Sequence, residues 1–239
     1  MAGNEIRQKI FSLLDLTSLN ETDDISSIVS LCSKAVRSDD HVAAICVFSQ
    51  FVKQGVKALQ DTNVKVATVA NFPQGTYSVA IVTAAIQESV QNGAQEIDVV
   101  FPYKSYLAGE KKSTQDFIRA CKKACGETIL LKVILETGEL QDLKIIAEAS
   151  QDMLLAGADF LKTSTGKIAV GATLEAVNVM LHTIKTLSVE LQRPIGLKVS
   201  GGIRTEQIAM QYIKLAEAHM GADWVNPRHF RIGTSRLLG

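Results

Sequence analysis

The chain has 239 residues, and its 25 Lys and Arg residues balance its 25 Asp and Glu residues. This length suits one large α/β barrel domain or two small domains, and a hydrophobic share of 46% provides enough apolar residues for a core, which excludes a disordered chain. Because the charge balance is even, no extended basic surface is available, and we expect neither nucleic acid nor an anionic membrane as a partner.

Apolar runs of strand length alternate with amphipathic helical segments, and no linker or charge block marks a domain boundary. The runs are continuously apolar rather than alternating, which is typical of parallel strands buried on both faces. The predicted strands span residues 11–17, 42–48, 64–72, 96–101, 129–136, 160–165, 195–200 and 230–235. The predicted helices span residues 22–36, 49–60, 77–92, 114–125, 140–156, 173–190 and 205–219.

Eight such units predict a single-domain α/β fold, a (β/α)8 TIM barrel over residues 1–239, with a doubly wound open sheet as the alternative. The apolar stretch 222–226 could itself be a strand. Only Pro227 to His229 separate it from the strand at 230–235, whereas a parallel crossover needs about a dozen residues or more. We therefore interpret 222–226 as the approach to the last strand.

No apolar run in the sequence approaches the roughly 20 residues of a membrane span, and the first residues carry no signal-peptide pattern. We therefore expect a cytoplasmic protein. The four cysteines form no CxxC pair, and the four histidines form no HxH or HExxH motif. These patterns predict free thiols and neither a bound metal nor a cofactor.

Charged side chains occur at the ends of the predicted strands, where barrel enzymes hold their reactive groups. Lys162 ends an apolar run in FLKTSTGK, Lys198 ends another in IGLKVSGGIRT, and Asp98 lies in a third. Unpaired charges in such strands would be costly, so we expect one shared polar centre, with structural ion pairs alone as the alternative. The other polar residues at these ends are Asp15, Thr17, Cys46, Asn71, Lys132 and Glu136.

Glycine-containing loops after the last three predicted strands indicate a phosphate site. Glycine lets backbone N–H groups approach an oxyanion closely, and these loops are a usual phosphate location in barrels. A helix start after the eighth strand would point its positive end at the same anion. The candidate residues are Thr165, Gly166, Lys167, Gly201, Gly202, Ile203, Arg204, Gly233, Thr234 and Ser235.

With these residues in view, the chain resembles the deoxyribose-phosphate aldolases, which are class I aldolases. The resemblance covers nearly the whole chain and rests on strings such as LLDLTSLN, EIDVVFPY, LLKVILETGEL, GADFLKTSTGK and GLKVSGGIRT. It implies a (β/α)8 fold and reversible cleavage of 2-deoxy-D-ribose 5-phosphate into D-glyceraldehyde 3-phosphate and acetaldehyde. It also implies a Schiff base on Lys162, with Asp98 and Lys198 as the proton-transfer pair.

The resemblance implies roles for other residues as well. Asp15, Thr17 and Cys46 match positions around the sugar hydroxyls, and the glycine-containing loops match phosphate-binding positions. Lys132 would pair with Asp15 or Glu136 and set the local field. The remaining alternatives are a different Schiff-base sugar-phosphate aldolase and a non-catalytic sugar-phosphate-binding barrel.

Lys162 must be neutral near pH 7 to attack an aldehyde, although a free lysine titrates near about 10.4. We predict that the like charge of Lys198 lowers the pKa of Lys162, with desolvation supplying the rest. Some members of the family carry a tail with a final tyrosine, whereas this sequence ends in Leu237 to Gly239. We therefore expect a very short last helix and a homo-oligomer, with a dimer favoured, that covers this side of the barrel.

Overall fold

The computed structural model describes residues 2–38 and 40–236, and its central feature is a closed barrel of eight parallel strands. Each strand pairs with the next along the chain, and the last pairs with the first through Asp15 and Gly233. This closure confirms the (β/α)8 prediction and excludes the open sheet. The strands are β1 (Leu14–Thr17), β2 (Ala44–Val47), β3 (Lys65–Ala70), β4 (Glu96–Val100), β5 (Leu130–Ile134), β6 (Phe160–Lys162), β7 (Gly196–Ser200) and β8 (Phe230–Thr234).

Helices follow the strands and cover the barrel. They are α1 (Ala2–Ser12), α2 (Ile25–Ala35), α3 (Val52–Leu59), α4 (Val79–Gln91), α5 (Tyr103–Leu107), α6 (Lys111–Cys125), α7 (Thr137–Leu140), α8 (Leu143–Leu155), α9 (Leu174–Glu190) and α10 (Glu206–Met220). A 3₁₀ turn at Ser49–Phe51 precedes α3, and a two-stranded ribbon joins Val36–Arg37 to Asp40–His41. Within the described ranges, no helix combines the length and apolar character needed to cross a membrane.

Side-chain caps fix where several helices begin. Asp24 accepts a hydrogen bond from the backbone of Ser27, whose side chain accepts in return from the backbone of Asp24, which forms a capping box at α2. Thr173 and Thr205 cap α9 and α10 in the same way, each through a hydroxyl that accepts from a backbone N–H. These caps set the helix starts close to the predicted positions.

The predicted first strand was too long at its start. The chain is helical through Ser12, so the strand begins only at Leu14, and α1 was absent from the predicted helices. The predicted strand 160–165 ends at Lys162, and residues 163–165 form a loop instead. The helix expected after the last strand would fall on residues 237–239, which lie outside the described residues.

Other predicted boundaries also changed. Residues 222–226 contain a 3₁₀ turn at Ala222–Trp224, which confirms that this stretch is not a strand. The predicted helix 140–156 begins at Leu143 because the side chain of Asp142 caps it there. All four cysteines are buried free thiols, as expected.

Alternate residues of the strands face different surroundings. In β4, Ile97 and Val99 belong to the apolar core between sheet and helices, whereas Glu96 and Asp98 point the other way, into the barrel. The same alternation places Lys132 and Lys198 inside the barrel, between apolar neighbours that face outward. The barrel therefore has an apolar shell and a charged centre.

Candidate active site

Asp98 is the hub of a buried charge network at the centre of the barrel. Its Oδ1 accepts a hydrogen bond from Lys132 Nζ at 2.8 Å, and its Oδ2 accepts from Lys162 Nζ and from Lys198 Nζ, each at 2.8 Å. The Asp98 side chain is 0% exposed, and that of Lys162 is 4% exposed. The three residues singled out as catalytic candidates are therefore in direct contact.

Two further carboxylates extend the network. Asp15 lies 2.6 Å from Lys198 Nζ and 2.7 Å from Arg231. Glu96 lies 2.6 Å from Lys132 Nζ and 2.9 Å from Arg231. We define the charge network as the seven side chains joined by these contacts: Asp15, Glu96, Asp98, Lys132, Lys162, Lys198 and Arg231.

The parallel register explains why these residues meet. Asp98 in β4 is level with Lys132 in β5, and Lys162 in β6 is level with Lys198 in β7. Inward-facing residues at the same level of neighbouring parallel strands lie side by side. This register therefore brings the charged ends of these side chains together inside the barrel. Lys162 is the last residue of β6, so its amine lies where the strand gives way to a loop.

Burial is the largest cause of the lowered pKa of Lys162. Asp98 opposes this effect by favouring the ammonium form, and the positive charge of Lys198 adds to the lowering. The prediction that Lys198 lowers the pKa of Lys162 is thus correct in direction. The prediction that Lys198 is the main cause was wrong, because desolvation lowers this pKa more. Burial alone would lower the pKa of Lys198 as well, but Asp15 and Asp98 raise it instead, so Lys198 stays protonated at neutral pH.

The carboxylates of the network remain ionised. Burial would raise the pKa of Asp98, but the positive charges of Lys132, Lys162 and Lys198 lower it well below its ordinary value. The pKa of Glu96 is lowered because Lys132 and Arg231 outweigh the effect of burial. Asp98 is therefore an anion that holds the neighbouring amines in place.

A cavity of about 400 Å³ opens above Lys162. It is lined by the predicted phosphate residues of three loops and by Thr17, together with Leu19, Asn20, Ser200 and Arg236, which were not predicted. Of the predicted polar residues, Asp15, Cys46 and Lys132 are 0% exposed and lie outside this lining. Burial also raises the pKa of the Cys46 thiol, so Cys46 is not a thiolate at neutral pH. The predicted phosphate residues that line the cavity are Thr165, Gly166, Lys167, Gly201, Gly202, Ile203, Arg204, Gly233, Thr234 and Ser235.

The loops after β7 and β8 present backbone donors at this cavity. The N–H groups of Gly202, Ile203, Arg204 and Ser235 find no protein acceptor among residues 2–38 and 40–236. Backbone N–H groups without protein partners normally bind water or an anion, and Gly202 has a positive φ of 84°, as expected in such a turn. This wall of the cavity is therefore suited to an oxyanion.

The loop after β6 is different because the backbone N–H groups of its cavity-lining residues, Thr165 to Lys167, already donate to protein acceptors. The N–H of Gly166 donates to Ser164 Oγ at 3.0 Å, and that of Lys167 donates to Thr165 Oγ1 at 3.1 Å. The Lys167 ammonium donates to the carbonyl of Leu19 at 2.7 Å. This loop therefore forms a wall of the cavity that is held by internal hydrogen bonds, and it contributes the positive charge of Lys167 rather than free backbone donors.

Sequence reasoning missed several members of the site. Glu96 lies two residues before Asp98, and Arg231 interrupts the apolar strand β8, so the argument used for Lys162 could have found both. Lys132 was expected to pair with Asp15 or Glu136. Its Nζ lies 3.8 Å from Asp15, but it is closer to Glu96 and Asp98, while Glu136 bonds to Thr165 instead. The described residues contain no cluster of three or more His, Cys, Asp or Glu side chains that could hold a metal ion.

Comparison with known proteins places this chain in a family. Residues 9–236 match the model of a DeoC/LacD family aldolase. The chain belongs to this family. It is therefore an aldolase, and so a lyase.

Solved structures agree with this assignment. A protein from Coccidioides immitis, provisionally named a deoxyribose-phosphate aldolase, is 32% identical, with 95% of this chain and 82% of that chain covered and a TM-score of 0.83. A provisionally named deoxyribose-phosphate aldolase from Toxoplasma gondii is 24% identical over 97% of this chain and 90% of that chain, with a TM-score of 0.89. The tetrameric deoxyribose phosphate aldolase from Aeropyrum pernix is 24% identical over 99% and 95%, with a TM-score of 0.77. At these identities, the last two comparisons support the fold alone.

Proposed function

We propose that this aldolase cleaves 2-deoxy-D-ribose 5-phosphate reversibly into D-glyceraldehyde 3-phosphate and acetaldehyde through a Schiff base on Lys162. The observation that carries the proposal is the position of Lys162. Its amine is buried, its pKa is lowered, and it lies between the Asp98 hub and a cavity lined by loops suited to an anion. An amine that is neutral at physiological pH is the form that attacks a carbonyl.

Imine formation begins with the neutral Lys162 amine adding to C1 of the open-chain sugar. The resulting carbinolamine must lose its hydroxyl group as water. Lys198 is suited to donate the proton for this step because it stays protonated, and Asp98 would accept protons through a bound water. Loss of water leaves an iminium ion on Lys162.

Cleavage then uses the iminium as an electron acceptor. The C3 hydroxyl gives its proton to a bound water, its oxygen forms a carbonyl, and the C2–C3 bonding electrons move into an enamine attached to Lys162. D-Glyceraldehyde 3-phosphate leaves at this point. Protonation of the enamine at C2 and hydrolysis of the new iminium release acetaldehyde and restore the amine.

Substrate orientation would come from the phosphate end. We propose that the loops of Gly202 to Arg204 and Gly233 to Ser235 bind the phosphate through backbone donors, with Arg204 adding charge. Binding energy at the phosphate then holds C1 near Lys162 and offsets the entropy cost of the reaction. Thr17 lines the same cavity and is a candidate for contact with a sugar hydroxyl. Asp15, Cys46 and Lys132 would support that region from below.

Reductive trapping tests the imine. Acetaldehyde and borohydride should add a two-carbon group to Lys162, located by peptide mass mapping. Lys162→Ala should abolish both the adduct and cleavage, whereas Lys53→Ala, at an exposed lysine, should change neither. An unlabelled wild-type protein, or equal labelling after Lys162→Ala, would rule out this route.

The substrate needs its own test because the family description is broader than one sugar. Purified protein should release acetaldehyde from 2-deoxy-D-ribose 5-phosphate faster than it cleaves ketose phosphates. Preferred turnover of a ketose phosphate would favour another Schiff-base sugar-phosphate aldolase. Imine trapping without turnover of any sugar phosphate would leave the Schiff base supported and the substrate assignment wrong.

A cytoplasmic location and a homo-oligomer, with a dimer favoured, stay predictions for this chain. Light scattering at micromolar concentration gives the mass of the assembly directly. A monomer would contradict the prediction, and a tetramer would correct its size.

A further inference from the structure

A buried carboxylate outside the charge network holds the loop that follows β6. Glu136 is 0% exposed and forms no ion pair with any residue that the structure describes. Its Oε1 accepts a hydrogen bond from the backbone N–H of Thr165 at 3.0 Å, and its Oε2 accepts from Thr165 Oγ1 at 2.6 Å. A buried carboxylate thus depends on a single neighbouring residue for its hydrogen bonds.

The backbone at Glu136 is turned to make this contact. Glu136 adopts a left-handed conformation with φ 52° and ψ 56°, which is uncommon for a residue with a side chain. The residues on either side are fixed to β6 and its loop, since Leu135 N donates to Lys162 O and Thr137 N donates to Thr163 O, each at 2.9 Å. Such conformations persist where surrounding contacts hold them, often at functional sites.

Thr165 passes this restraint to the cavity wall. The backbone N–H and the hydroxyl of Thr165 both donate to Glu136. This orientation of the hydroxyl lets Thr165 Oγ1 accept a hydrogen bond from the N–H of Lys167 at 3.1 Å. The Lys167 ammonium then reaches the carbonyl of Leu19 in the loop after β1. Glu136 therefore begins a chain of hydrogen bonds that runs through the wall facing the donors of Gly202 to Arg204.

We propose that Glu136 is a positioning residue for the phosphate subsite, a role that rests on the proposed function for the identity of the substrate. Glu136 is absent from the cavity lining and does not reach the substrate. Its carboxylate fixes Thr165 and thereby the spacing between the loop after β6 and the loops after β7 and β8. That spacing sets the affinity for the phosphate group, while the reacting end of the substrate is held by other residues.

Glu136→Gln tests this role with little change of shape. The glutamine keeps one acceptor for Thr165 N but replaces the other by an amide donor, so the hydroxyl of Thr165 must turn away from it. We expect KM for 2-deoxy-D-ribose 5-phosphate to rise about tenfold with kcat changed by less than about twofold. For unphosphorylated 2-deoxy-D-ribose, kcat/KM should change by less than about twofold. A merely structural role would lower activity on both sugars together.

Three further variants separate the contact from the fold. Thr165→Val removes the hydroxyl at similar volume and should reproduce the selective rise in KM. The double variant Glu136→Gln with Thr165→Val should have a KM no higher than that of the more affected single variant, because both substitutions remove the same contact. Glu139→Gln, at an exposed carboxylate of the same short helix, is the matched control.

Titration calorimetry with inorganic phosphate keeps this proposal distinct from the proposed function. Weaker phosphate binding by about tenfold in Glu136→Gln supports the positioning role even if the wild type forms no imine, in which case only the proposed function fails. Equal phosphate affinity in the two proteins, or an equal loss of activity on both sugars, overturns the positioning role. If Glu136→Gln does not fold, Thr165→Val decides by the same measurements.

Discussion

Lys162 differs from the other cationic side chains of the charge network. The network contains four cationic side chains and three carboxylates, so full ionisation would leave one positive charge in excess in a region shielded from water. Such an excess is costly because the interior solvates charge poorly. The pKa values of Lys132, Lys198 and Arg231 are raised by the neighbouring carboxylates, whereas that of Lys162 is lowered by burial. Lys162 is therefore the cationic member of the network that loses its proton most readily, and its loss would restore the balance.

Removal of Lys198 should make Lys162 harder to deprotonate. Lys198→Met deletes a like charge and leaves Asp15 and Asp98 less neutralised, and both effects favour the ammonium form of Lys162. We expect the rising limb of the pH profile of kcat/KM to move upward by about one unit or more. Lys53→Met, at an exposed lysine, should leave the profile in place. A downward shift would contradict the charge-balance argument.

Removal of a network carboxylate should destabilise the fold. Glu96→Gln leaves Lys132 and Arg231 with one carboxylate fewer, and breaking a buried pair typically costs about 3 kcal/mol or more. We expect the free energy of unfolding in urea to fall by about that amount. Glu88→Gln, at an exposed glutamate, is the control, and an equal effect of the two variants would show that the network adds no special stability.

Sequence could reveal the charged residues but not their partners. Lys162 and Lys198 were recognisable because each ends an apolar run, and Arg231 was recognisable as a charge between Phe230 and Ile232 in a predicted strand. Which amine meets which carboxylate depends on strand register across the barrel, and no local pattern encodes that register. The contact of Glu136 with Thr165 depends in addition on a left-handed backbone, which the residue type does not indicate.

The loops carry steric requirements of their own. The backbones of Gly171 and Gly201 pack so closely that a Cβ on Gly171 would lie 2.4 Å from the carbonyl oxygen of Gly201. Ala172 N also donates to that oxygen at 3.1 Å, so the loop after β6 buttresses the loop after β7. Only glycine at position 171 allows this contact without movement of the loop after β7.

Gly171→Ala should therefore weaken anion binding. The added methyl group pushes Gly201 and the donors that follow it away from their positions, and we expect affinity for inorganic phosphate to fall about tenfold. Gly3→Ala is the matched control because a Cβ at Gly3 meets nothing within 4 Å. Calorimetric titration measures both variants, and unchanged affinity in Gly171→Ala would show that the loop absorbs the methyl group.

Helices and strands were predicted correctly where a single pattern of apolar residues ran through the whole element. The prediction failed where a helical pattern ran directly into a strand pattern. The buried strands were found because their apolar runs are bounded by polar segments. The end of α1 was not found. Ile10 and Phe11 are buried residues of the helix, and Leu13 and Leu14 follow immediately after Ser12. The apolar run crosses the helix boundary, so composition alone cannot mark where helix gives way to strand.

For the whole molecule, the buried carboxylates predict loss of stability in acid. The pKa values of Asp15, Glu96 and Asp98 are lowered from ordinary values of 3.8 for the aspartates and 4.5 for the glutamate. Because the folded-state values are depressed, their stabilisation is complete above the ordinary values and is lost as the pH falls toward the folded values.

We expect the free energy of unfolding in urea to hold between about pH 7 and pH 5 and to fall below about pH 4. Glu96→Gln, which lacks one of the three carboxylates, should show a shallower fall over the same range. A stability that does not change down to pH 3 would mean that the pKa values of these groups are not lowered in the folded protein.

The odd number of charges inside the barrel also gives the reaction a direction. On the proposed route, the iminium adds a positive charge to a core that is balanced when Lys162 is neutral, and the enamine carries no such charge. Breaking the carbon–carbon bond therefore neutralises the nitrogen, and the core returns to balance once the proton of the C3 hydroxyl has passed to water in the cavity. In the reverse direction on the same proposed route, the same balance favours the neutral enamine of acetaldehyde over its iminium, and the enamine is the form that attacks the aldehyde.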